Sequence, residues 1–271
     1  MRRLTFAQLD SDHDRSGRIL ANRKFSLSQN PNAIEFLKEH PEWICWIGLS
    51  MNPNAIDLLE ANPDQIHWLV LPQNPNAIHL IEDKLARQKN KVNWRALSAN
   101  PNACHILSES LTDINWASLS RNPGAINLLE SNQNYIDWWN LSANPSAVHL
   151  LEANLDKVVW NQATKNPNAI HLLEAHMDKL NWFGLASNPN AVHLLETRMD
   201  YISWISLSAN PNAIHLLEAN PDNIDWVNLS KNPNAIHLLE ANPDKICWAT
   251  ILSNPNAMHL ITDNLDKIGD T

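Results

Sequence analysis

Eight histidines fall at one place of a repeating pattern, His79, His105, His149, His171, His193, His215, His237 and His259, and most have a glutamate three residues on. Residues three apart share a helical face, so a pair such as His215 and Glu218 offers an imidazole and a carboxylate to one ion. His193, His215 and His237 are the candidate ligands of such a metal column. Against it, helices packed about 8–10 Å apart hold successive imidazoles at the outer limit for sharing an ion. Structural zinc also closes with four ligands, often thiolates, and no cysteine lies in this column. The competing reading is an exposed stripe of histidine and glutamate in weak ion pairs that titrate near neutrality. A second metal candidate is Asp12, Asp14 and Ser16, which with Gly17 match the first places of an EF-hand calcium loop. Arg23 stands where that loop needs its bidentate glutamate, and only eleven residues precede Asp12. No cofactor is expected.

Ten tryptophans form another column: Trp46, Trp68, Trp94, Trp116, Trp138, Trp160, Trp182, Trp204, Trp226 and Trp248. An exposed ladder of this kind could stack bases or sugars. Trp226 and Leu229 lie three apart and share a face, which predicts structural core instead, each indole N–H finding a carbonyl or an asparagine.

These columns are in register because the chain is a repeat. Asn-Pro-Asn-Ala or a near copy starts at Asn30, Asn52, Asn74, Asn100, Asn122, Asn144, Asn166, Asn188, Asn210, Asn232 and Asn254, every 22 residues apart from one interval of 26. Such self-similarity means one supersecondary unit stacked on its own copies. In the unit from Asn210 to Lys231, Asn210 is placed to cap a helix, and Pro211 takes the first turn, where a missing N–H costs nothing. Asn220 and Pro221 repeat the arrangement, so two short helices per unit are expected. The starting asparagines are read as helix caps that also bond across repeats. Ala213, Ile214, Leu216 and Leu217 make one apolar arc at about 100° per residue. The predicted fold is all-α, an α-solenoid of about eleven two-helix repeats.

A leucine-rich-repeat-like solenoid has the same period, but Asn234 stands where its consensus is apolar and Trp226 breaks strand alternation. The unit of 26 residues gains one helical turn's worth of chain, which predicts a longer first helix. It also gathers Lys84, Arg87, Lys89 and Lys91 into a basic bump. Residues 1–29 read as an N-terminal cap or half repeat, and 30–271 as a single array whose last repeat is truncated, atypical ends giving a solenoid its polar end faces.

The pattern Asp-Lys-Ile-x-Trp-x-x-Leu-Ser-x-Asn-Pro-Asn-Ala-Ile-His-Leu-Leu-Glu resembles repeat proteins that giant DNA viruses of the mimivirus kind encode in many copies. The resemblance runs from about Phe25 to Lys267, most closely over Asn232–Trp248 and Ile202–Glu218. It implies a viral origin and an interaction or structural role, and it carries no catalytic motif.

Net charge is −9, which opposes a phosphate backbone and makes nucleic acid an unfavoured partner. Cys45, Cys104 and Cys247 make no disulfide framework. No leader or membrane span is read from the sequence, so the expectation is an intracellular protein, in host cytoplasm or virion, and not a secreted one. No phosphate-cradling glycine loop or nucleophile elbow is present, and no enzyme is expected. Function is expected in the side chains that vary between units. Trp43, Tyr135, Trp139 and Tyr201 are the candidate anchors for an unknown protein partner, with self-association as the alternative and single-stranded nucleic acid as a third.

Overall fold

The computed structural model describes the backbone of residues 6–88 and 91–269, and the side chains of residues 18–88 and 91–268. Among the described residues there are helices and turns and no strand, which removes the leucine-rich alternative. In the unit from Asn210, the Asn210 carboxamide oxygen accepts from the Asn212 N–H at 3.0 Å, and the first helix runs Ile214–Ala219. A single 3-10 turn, Pro221–Asn223, follows, and Ile224 is then extended at φ −68°, ψ 122°. The second helix is Trp226–Leu229.

The second cap is not where the sequence reading put it. Asn220 donates through Nδ2 to the Leu216 carbonyl at 2.9 Å, closing the end of the first helix. A helix leaves its last carbonyls without partners, and the carboxamide satisfies one of them. The residue before the tryptophan caps the second helix instead: Asp225 accepts from the Asn228 N–H at 2.8 Å. Asn93, Asn115, Asp137, Asn181 and Ser203 do the same in their units.

Units are joined through the starting asparagines. Asn232 Nδ2 donates to the Ser208 and Asn210 carbonyls, just before and at the start of the preceding unit, at 3.0 and 2.9 Å, while its oxygen accepts from Asn234 N–H at 3.0 Å. All eleven asparagines are at most 2% exposed. A carboxamide is the one neutral side chain with two donors and an acceptor, so one residue type satisfies backbone groups in two units. A serine column adds a second tie: the Asp225 N–H donates to Ser208 Oγ at 2.9 Å, and that hydroxyl donates to the Trp204 carbonyl at 2.8 Å. Between these ties lies the core, in which Ala213, Leu217 and Leu229 are fully buried.

The array closes on itself. Asn30 Nδ2 donates to the Leu252 and Asn254 carbonyls at 3.1 and 3.0 Å, and Asn32 Nδ2 donates to the Pro255 carbonyl at 2.7 Å. These are the bonds of an ordinary junction, made here between the first starting asparagine and the last. In the unit beginning at Asn254 the described residues include no tryptophan helix, and α1 (Phe6–Gln29) stands in its place. Leu27 and Ser28 are fully buried at the leucine and serine places, and the Cys45 N–H donates to Ser28 Oγ at 2.8 Å. Arg23 Nη1 donates to the Ile268 carbonyl at 2.9 Å, stitching α1 to the C-terminal helix Leu265–Gly269. The two incomplete ends therefore make one composite unit, and the polar end faces expected of an open solenoid are absent among the described residues. Around the junction Gly48 is required by close approach: a Cβ there would lie 2.7 Å from the Phe25 carbonyl oxygen.

The long unit behaves as its extra turn predicts. Its first helix, Ile78–Gln88, has 11 residues against 6 in Ile214–Ala219.

Candidate functional site

The closest packing between units joins successive second helices, so they sit at the smaller radius and line the inside of the ring. Two side-chain bonds confirm how near they lie: Asn93 Nδ2 donates to the Leu69 carbonyl at 2.9 Å, and Thr250 Oγ1 to the Val227 carbonyl at 2.8 Å. In each second segment the residue three places after the tryptophan, leucine in eight of the ten units, is buried in the core, and at about 100° per residue the places one and five after it point away, into the ring, with place two beside them. The place directly after the tryptophan carries Ile47, Leu69, Trp139, Phe183, Ile205 and Val227, exposed by 42%, 63%, 55%, 64%, 60% and 48%. Arg95, Ala117, Asn161 and Ala249 complete that column, and a groove of about 500 Å³ runs beside Arg95, Ala117, Arg121 and Asn140.

The first helices form the outer layer, where the histidines lie. His193, His215 and His237 donate through Nε2 to Glu174, Glu196 and Glu218 at 3.0, 3.0 and 2.8 Å, and His171 pairs likewise with Glu152. Each partner belongs to the preceding unit, so the expected pairing of His215 with Glu218 on one helix gives way to pairing across the junction. Successive first helices are far enough apart that two long side chains must bridge them. Each histidine and glutamate is about half exposed. Among the described residues no three His, Cys, Asp or Glu side chains cluster as metal ligands.

Departures from the histidine pattern are matched across junctions. Lys38 holds the glutamate place of the first unit and Asp57 the histidine place of the second, a pair of reversed sign. Lys38 is held protonated above the usual lysine range by its hydrogen bond and charge interaction with Glu35 and, more weakly, by Asp57. Ser108 and Asn127 are both neutral, and at the closure Thr262 faces the place of Glu35. No junction sets like charges against each other. Sequence reasoning missed this because it compared histidine with glutamate three residues on; a comparison 19 residues back shows it.

The tryptophans are half-buried at the edge of the core and are not enclosed by it. Their outer faces are covered from the next unit: Lys245 lies 4.7 Å from the Trp226 ring centre, Lys157 4.8 Å from Trp138, and Lys84 of the basic bump 4.5 Å from Trp68. Tyr135 stacks on Trp116 at 4.7 Å and 16°. Of the four candidate anchors, Trp139 lies on the inner face, whereas Tyr135 and Tyr201 sit on the 3-10 turns, 58% and 61% exposed. Trp43 is half-buried against the core, so the four do not form one patch. Asp12, Asp14 and Ser16 fall within α1, where the backbone is helical and no calcium loop forms; their side chains lie outside the described residues, as does Lys89. Cys45, Cys104 and Cys247 are unpaired, and burial pushes the Cys104 thiol up. Among the described residues no helix is long and apolar enough to cross a membrane.

Comparison of the chain with protein-family models, curated proteins and solved structures found no match.

Proposed function

We propose that this chain is a non-enzymatic helical-repeat ring, a scaffold for protein–protein interaction whose inner face is the binding surface. One observation carries it: the stacking places hold asparagine in all eleven units, while the exposed place after each tryptophan changes from unit to unit. Stacking asks nothing of that place, so its composition is free to serve recognition. Exposed aliphatic and aromatic side chains in this density are what an interface uses. The resemblance to giant-virus repeat proteins supports a role inside the infected cell or the virion.

The test is affinity capture with the ring from the producing cell, followed by titration of the purified partner against the wild type and a Phe183→Ser/Ile205→Ser variant. A loss of about tenfold or more, roughly 1.4 kcal/mol, is the expected result; unchanged affinity removes the inner face. Light scattering over a concentration series separates self-association, which predicts mass that grows without a partner. Closure leaves no free repeat end for head-to-tail growth.

A further inference from the structure

The inner face differs from the rest of the protein in charge as well as in apolarity. The places one, two and five after each tryptophan contain no aspartate or glutamate in any of the ten units, in a chain with 29 acidic residues and a net charge of −9. The same places carry Arg95, Arg121, Lys165 and Lys231, all exposed, and none of the four is in an ion pair among the described residues. Bordering acids Asp137 and Asp225 are engaged as helix caps. Apart from these caps, the acidic side chains among the described residues lie on the first helices or on the turns and C-terminal helix that follow them.

Apolar residues on this face are also consecutive around the ring. Phe183, Ile205, Val227 and Ala249 are followed, across the composite unit, by Phe25 of α1, then Ile47 and Leu69. Closure makes one arc of seven units from residues at the two ends of the chain. The remaining units hold Arg95 and Arg121 beside the groove, then Trp139 and Asn161.

Space selects the form of the occupant. Eleven second segments spaced about 8–10 Å apart give a circle of about 30 Å between opposite axes. Taking off a helix width of about 10 Å leaves an opening of about 20 Å. A folded domain of 100 residues, with a radius of gyration of about 13 Å, is too wide to enter. A single helix or an extended chain fits.

We infer that the ring's inner face binds an acidic polypeptide segment bearing aliphatic and aromatic side chains, which inserts into the opening with its apolar side on the Phe183-to-Leu69 arc and its carboxylates on the arginines and lysines. This rests on the scaffold reading and names the partner's chemistry. Nucleic acid fits less well, because Ile47, Leu69, Ile205 and Val227 offer no ring for a base to stack on and four cations serve eleven units.

Fluorescence anisotropy of labelled peptides of about 20 residues, some 30 Å when helical, tests it on the intact ring. A repeating Leu-Leu-Glu-Glu peptide is expected to bind, more weakly as salt rises, and at least about tenfold more tightly than a Leu-Leu-Lys-Lys peptide or an all-glutamate peptide. Phe183→Ser with Ile205→Ser, and separately Arg95→Glu with Arg121→Glu, are each expected to weaken it about tenfold or more; all four positions are exposed, and circular dichroism confirms that the variants fold. Equal binding of acidic and basic peptides, no binding at millimolar peptide, or tighter binding of oligothymidine overturns the inference. A captured partner protein whose affinity drops in the Phe183→Ser/Ile205→Ser ring, together with no binding of the acidic peptide, overturns the acidic-segment inference and leaves the scaffold reading standing. Absence of any captured partner removes the scaffold reading itself.

Discussion

Two junctions of the ring, the ordinary one between the Asn210 and Asn232 units and the composite one between the Asn254 and Asn30 units, share their asparagine bonds and differ in nearly everything else. At both, one carboxamide donates to two carbonyls, just before and at the start of the preceding unit, and accepts from an N–H of its own unit. The outer ion pair exists only at the first, and so does the serine tie at the asparagine's own level, Asp225 to Ser208; the next tie along, Cys45 to Ser28, is kept at the closure. Asp225 N–H, in a chain that has just left a 3-10 turn, needs Ser208 as acceptor, whereas Arg23 N–H lies inside α1 and is satisfied by its own helix. Leu252, fully buried, stands at the serine place facing α1. The asparagine bonds thus define the ring, and the other positions adjust to whichever element each unit meets.

The sharpest way to break the comparison is at the carboxamides. Asn232→Ala strands the Ser208 carbonyl and the Asn234 N–H and leaves the Asn210 carbonyl only its bond from Ala213; at about 1–3 kcal/mol for each stranded group, a total loss of about 2–6 kcal/mol is expected. In a closed ring Asn30→Ala costs the same. In an open array it loses only a cap, about 1 kcal/mol. Urea unfolding of the two variants decides, and a much smaller effect at Asn30 means the ring is open in solution.

Leu252→Ser comes next. Serine is the usual residue at this place, and Ser230→Ala is expected to cost about 1–3 kcal/mol by stranding the Cys247 N–H. Introduced at position 252 it does the opposite of helping: a buried apolar side chain is lost and α1 offers the hydroxyl no free N–H. The expected loss is about 3 kcal/mol, within the range of large-to-small core substitutions. A Leu252→Ser ring as stable as the wild type in thermal unfolding would show that α1 does not pack there.

Gly48→Ala is smaller still. The added methyl meets the Phe25 carbonyl oxygen at 2.7 Å, so α1 must move, for about 1–3 kcal/mol. Its size should shrink to a few tenths in a chain lacking residues 1–29, where nothing opposes the new methyl; an unchanged cost there would place the clash elsewhere.

What was legible in the sequence follows from this contrast. Asn210 and its ten counterparts could be read as caps and cross-repeat donors because Asn-Pro-Asn states both roles locally. Asn220 could not, because Asn-Pro before a 3-10 turn looks the same as Asn-Pro before a helix, and only the position of Leu216 O shows which end the carboxamide closes. The half-buried tryptophans were read as enclosed because helical spacing gives the side of a residue and not its depth. Closure depends on curvature accumulated over eleven units, which no single unit encodes. The inner-face stripe could have been found by tabulating charge at each place of the repeat, since an acid-free column in an acidic chain needs no coordinates.

One trace of closure was present at the sequence level, and it sets the smallest prediction. Ten junctions are made within the chain, and at each the glutamate place of one unit faces the histidine place of the next without like charges. The eleventh pairing, Thr262 with Glu35, obeys the same rule only if the ends meet. Thr262→Glu restores the usual residue and brings a second carboxylate to Glu35, an exposed like-charge contact costing up to about 0.5 kcal/mol; Thr262→Lys should gain a similar amount, and both effects should fade with added salt. The same pair of substitutions in an open array would leave stability unchanged, since position 262 would not lie beside Glu35 there. A difference in unfolding midpoint between Thr262→Glu and Thr262→Lys that disappears at high salt is therefore evidence for the ring that disturbs none of the bonds holding it together.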